Sequence, residues 1–70
     1  MTTEQLENWF SYHAPTSDQL LRYQKIREAA LVFATEINEL VGECADKTAA
    51  MRKLRECVMT VNAGIACGGK

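Results

Sequence analysis

The chain has 70 residues, with 8 Lys and Arg against 9 Asp and Glu, and a formal net charge of −1. That length holds one domain with a modest core, and chains this small commonly recruit disulfides, a metal or further copies of themselves. The near-zero charge disfavours a long nucleic-acid polymer, whose phosphates call for an excess of Lys and Arg, and leaves a small anion open as a partner.

Cys44, Cys57 and Cys67 are odd in number and widely spaced, with no CxxC pair and a single histidine to help. This argues against a zinc site or a disulfide framework and for thiols in a reducing cytosol. Oligomerisation remains as the default. The stretch MTTEQLENW lacks the apolar segment of a secretory signal, and no apolar run approaches membrane-spanning length.

In chain order, TTEQLENWFSYH predicts a short helix. Thr2 with Gln5 fits a capping box, and Leu6, Trp9 and Phe10 form an i, i+3, i+4 apolar stripe. His13-Ala14-Pro15 breaks it, because the residue before proline avoids helical backbone. Thr16 with Gln19 is a second capping box, and Asp18 suits the positive end of the helix dipole. The next helix is expected to reach about Val41. Its seam is Gln19, Tyr23, Ile26, Ala30, Phe33, Ile37 and Leu40, a heptad spacing with a polar first position. Gly42 stands where a C-terminal cap is expected. The short link GECA predicts an antiparallel partner helix, with Asp46 as N-cap and Met51, Leu54, Val58, Val61 and Ile65 as its seam. Gly68-Gly69 ends it.

The reading is all-α: an antiparallel helical hairpin with a short N-terminal helical arm, in a single domain spanning 1–70. The arm covers 1–15, and the helices cover 16–41 and 46–67. One seam between two helices leaves apolar surface over, at Leu20, Leu31, Val32 and Val41. Ala49, Ala63, Gly64 and Ala66 make the second helix thin-walled, which permits close backbone approach. Either the arm folds back over this surface or other protomers cover it. The thin core of a lone hairpin favours a compact homo-oligomer.

The cations form two clusters, Arg22, Lys25 and Arg27 on the first helix and Lys47, Arg52, Lys53 and Arg55 on the second. In an antiparallel hairpin the second cluster passes acidic residues, so ordinary ion pairs Glu36–Arg52 and Glu39–Lys47 account for part of it. The first cluster lies just after the Pro15 junction, where the arm turns back. Trp9, Phe10, Tyr12 and His13 are thereby expected to share one cleft with Arg22 and Lys25. Flat rings beside cations suit a ligand with π-faces and phosphates. Against that, Trp9 and Phe10 fit as caps of the core and His13 as a structural residue. Tyr12, whose hydroxyl wants a polar neighbour, fits a rim. No nucleophile with a base, glycine-rich phosphate loop or metal-ligand spacing is present, so neither an enzyme nor a cofactor is expected.

The stretches NWFSYHAPT, RYQKIREAA and RKLRECVMTVNAGIA resemble a family of small phage proteins that counter the bacterial CBASS defence, the type-two anti-CBASS proteins. The likeness runs from about Trp9 to Ala66. It implies a hexameric helical sponge that sequesters cyclic oligonucleotide messengers without cleaving them, in the cytoplasm of the infected host. Cyclic dinucleotides such as cyclic GMP-AMP would sit between protomers. The family's aromatic and lysine there match Tyr12 and Lys25, with His13, Arg22 and Trp9 beside them. A second pocket for cyclic trinucleotides would use Arg52 or Arg55, with Thr60 and Asn62. The link GECADK lacks the prolines of many members. No nucleic-acid polymer and no membrane enters this reading. The alternative is a helical protein-interaction module that blocks a host protein through its apolar face.

Overall fold

The computed structural model describes residues 1–70 as three helices, α1 (Thr3–Trp9), α2 (Ser17–Leu40) and α3 (Ala45–Ala66). Both expected capping boxes form. The Thr2 hydroxyl accepts from the Gln5 backbone at 3.1 Å while the Gln5 side chain accepts from Thr2 N–H at 2.8 Å. Thr16 and Gln19 repeat the exchange at 3.2 and 3.0 Å. Each box satisfies two backbone donors that a helix start otherwise leaves open.

The other caps differ from expectation. Val41, in extended backbone, closes α2, and Gly42 does not enter the left-handed region. At the start of α3 the N-cap is Cys44, not Asp46. Its Sγ accepts from Lys47 N–H at 3.4 Å. Asp46 stands one turn position inside, where its carboxylate still faces the positive end of the dipole. Gly68 and Gly69 do end α3, at φ 67° and 74°. Gly69 N–H bonds Gly64 O at 2.9 Å and Gly68 N–H bonds Ile65 O at 3.1 Å. That pair of bonds is a Schellman motif, which glycine forms without steric cost.

α2 and α3 pack antiparallel as one hairpin. Their shielded rows are Gln19, Tyr23, Ile26, Ala30, Ala34 and Ile37 against Lys47, Met51, Leu54, Val58, Asn62 and Ile65. Each row follows the 3.6-residue period of a straight helix rather than the heptad's 3.5. The expected seam therefore slips after its first turns. Ala34 replaces Phe33, which is 54% exposed, and Asn62 replaces Val61, at 36%. Leu40 is left in solvent. Two side chains pin the register at opposite ends: Gln19 Nε2 donates to Ile65 O, and Lys47 Nζ donates to Asn38 O, both at 3.1 Å.

The hairpin does not close a core. Lys47 is the one buried residue, 7% exposed, and no apolar residue is fully buried. Its ammonium also meets Glu43 at 2.7 Å rather than Glu39, and the expected Glu36–Arg52 pair does not form either. The arm does fold back, through polar contacts. Asn8 Nδ2 donates to Cys67 O at 3.3 Å, and the Trp9 indole donates to Lys70 O at 2.9 Å.

Candidate functional site

The turn between α1 and α2 is held from both sides. Ser11 Oγ bonds Glu7 O, and the half-buried His13 ring lies 2.6 Å from Asn8 O. His13 thus braces the loop. Tyr12 stands between these two anchors with its ring 88% exposed. One turn into α2, Arg22 pairs with Asp18 at 2.9 Å. Lys25 follows on the next turn, exposed and free of any ion pair.

Trp9 and Phe10 go elsewhere. They form one wall of a groove of about 600 Å³ whose floor is Thr60, Ala63, Gly64 and Cys67 of α3, with Met59 and Lys70 at its edges. Both rings are largely exposed rather than capping a core. The cleft of rings and cations expected within one protomer is therefore split. Trp9 faces the end of α3, and Arg22 and Lys25 lie outside that groove.

The second set is spread along α3. Arg55 stands on a groove of about 480 Å³ with Leu31, Met51, Leu54 and Val58. Its place beside Leu31 follows from the antiparallel packing of α2 on α3. Arg52 is exposed and lines neither groove. Thr60 lies on the floor of the first groove with its hydroxyl donating to Glu56 O at 2.9 Å. Asn62 sits in the seam, its Oδ1 buried without a hydrogen-bond partner. Of the eight Lys and Arg only Arg22 and Lys47 hold ion pairs, so Lys25, Arg27, Arg52, Lys53, Arg55 and Lys70 remain available to an anion. Sequence reasoning passed over Asn8, which braces the arm through its side chain and its carbonyl. Its one signal was its place within the resembling stretch NWFSYHAPT.

The family model of the Acb2/Tad1 hairpin domain matches residues 2–66, a span that takes in the arm, both long helices and every candidate residue above. The chain belongs to the Acb2/Tad1 hairpin family. That membership gives it a phage anti-defence role against CBASS. The helical hairpin of the family's name is here α2 against α3, with α1 as its arm. No curated protein matches this Acb2/Tad1 chain, and no solved structure does. No helix is long and apolar enough to cross a membrane.

Proposed function

We propose that the protein is a cyclic-oligonucleotide sponge. It binds cyclic dinucleotides such as cyclic GMP-AMP, and cyclic trinucleotides at a second site, and withholds them uncleaved from the effector in the cytoplasm of the infected host. The family match over residues 2–66 carries this reading. Tyr12 and Lys25 support it: an exposed ring on a braced turn, and an unpaired ammonium on the neighbouring helix. Stacking on such a ring contributes about 1–3 kcal/mol per base, and the ammonium answers phosphate charge. Each further 1.4 kcal/mol or so gives the sponge a tenfold advantage over the effector.

In this reading the sites lie between copies, in a homo-oligomer whose family form is a hexamer. The exposed surface supports assembly. A compact monomer of this mass exposes about 4,400 Å², whereas this protomer exposes 5761 Å². Its radius of gyration is 15.2 Å, against about 11 Å for a compact chain of this length. Burial between copies removes water from the phosphate contacts and strengthens them.

Calorimetry with cyclic GMP-AMP tests the site. Tyr12→Ala and Lys25→Ala should each weaken binding about tenfold or more while the assembly persists. Unchanged affinity in both variants removes the assignment. A wild-type protein that shows no thermal shift with any cyclic di- or trinucleotide points instead to the protein-interaction module, for which the exposed Phe33 and Leu40, seven residues apart on one side of α2, offer a surface.

A further inference from the structure

Tyr12 stands in the link between α1 and α2, and side chains hold that link in place. α1 has seven residues, too few to stand alone in water, and its backbone approaches neither long helix closely. Its last backbone bond runs from Phe10 N–H to Leu6 O at 3.0 Å, and no backbone donor reaches the next two carbonyls, Glu7 O and Asn8 O. Side chains take them instead. The Ser11 hydroxyl donates to Glu7 O, and Nε2 of His13 lies 2.6 Å from Asn8 O. A carbonyl only accepts, so this nitrogen carries the proton. The residues on either side of Tyr12 are thus tied back to consecutive carbonyls of α1.

Asn8 carries the tie onward. Its Nδ2 donates to Cys67 O at 3.3 Å, in the glycine-capped turn that ends α3. On the far side of the link, Gln19 Nε2 donates to Ile65 O at 3.1 Å, in the last turn of the same helix. Both ends of the link therefore hang from carbonyls two residues apart. Asn8 is the one half-buried residue of α1.

We infer that Asn8 is a positioning residue for nucleotide binding, which holds the Tyr12 turn to the end of α3 through two bonds in series, His13 Nε2 to Asn8 O and Asn8 Nδ2 to Cys67 O. The inference rests on the sponge reading above, and it assigns the His13 ring to this series rather than to the nucleotide. A turn held before the ligand arrives loses less freedom on binding, so more of the stacking on Tyr12 is realised as affinity. Without the series, a short arm with no helix packed against it would have to be ordered by the nucleotide itself.

Calorimetry with cyclic GMP-AMP on Asn8→Ala, His13→Leu, their double variant and His13→Gln tests the series. Either single break should weaken binding about three- to tenfold, the loss expected for one hydrogen bond. A second break in the same series adds little, so the double variant should bind about as the single variants do. Glutamine places an amide nitrogen close to where Nε2 stands, so His13→Gln should recover most of the affinity. Hydrogen exchange separates positioning from general stability. In Asn8→Ala the amides of residues 11–14 should exchange faster, those of α2 and α3 at the wild-type rate, and the light-scattering mass should not change. Wild-type affinity in Asn8→Ala overturns the inference and leaves the sponge standing. Losses that multiply in the double variant, or a His13→Gln variant as weak as His13→Leu, overturn it as well, because His13 then acts on the nucleotide itself. Faster exchange throughout the chain also overturns it, since Asn8 then serves the fold and not the turn. A wild type that binds no cyclic nucleotide removes the sponge reading and this inference together.

Discussion

Lys47 shows how much one side chain carries when there is no apolar core. Its stem is shielded by the hairpin and its ammonium joins Asn38 O, near the end of α2, to the Glu43 carboxylate. A cation near the C-terminus of a helix also meets the negative end of its dipole. Lys47→Met keeps the stem and removes the donor, so it should lower unfolding free energy by about 1–2 kcal/mol in urea titrations. Glu43→Gln should cost much less, because Glu43 is largely exposed and its ion pair is screened. Equal losses in the two variants would show that the ion pair, rather than the bond to Asn38 O, is the stabilising contact. A seam expected to begin at Met51 left Lys47 among the surface cations, although it stands one turn before Met51 on the same row. Its partner escaped as well. Pairing a lysine with Glu39 by charge alone overlooked a backbone carbonyl, which no residue type announces.

At the scale of the elements, starts were read better than ends or phases. A capping box is a local pattern of two side chains, and both boxes form as the residues imply. The N-cap of α3 escaped because cysteine is a weak acceptor and Asp46 looked better for the task. The seam slipped because heptad spacing and a 3.6 period agree for two turns and then diverge by a residue, which was enough to exchange Phe33 for Ala34 and Val61 for Asn62. The exchange places a polar side chain in the seam. Asn62 Oδ1 is buried without a partner, and such a group costs about 1–3 kcal/mol. Asn62→Leu should therefore raise the midpoint of urea unfolding, at the expense of a polar residue that helps set helix register. A lower midpoint would mean that the oxygen finds its partner in a neighbouring copy or in water.

At the scale of the molecule, a hairpin without a buried apolar residue is short of a core, and six of its cations stand exposed and unpaired although the formal net charge is −1. In the proposed reading, copies of the chain supply the core and a small polyanion meets the cations of the site. The fold class, the arm and the two basic regions were legible from periodicity, caps and charge. Where the rings would turn was not, because Trp9 is placed by a bond to the backbone at Lys70, 61 residues away. The proposed ligand is not legible from periodicity or charge; its support is the likeness of three stretches and membership of the family. Equilibrium dialysis of cyclic GMP-AMP against the full chain, followed by heat release, tests the central claim most directly. The account predicts that free nucleotide falls in proportion to protein and that the released nucleotide is cyclic and intact. Equal nucleotide on both sides of the membrane, or a linear product, would contradict it.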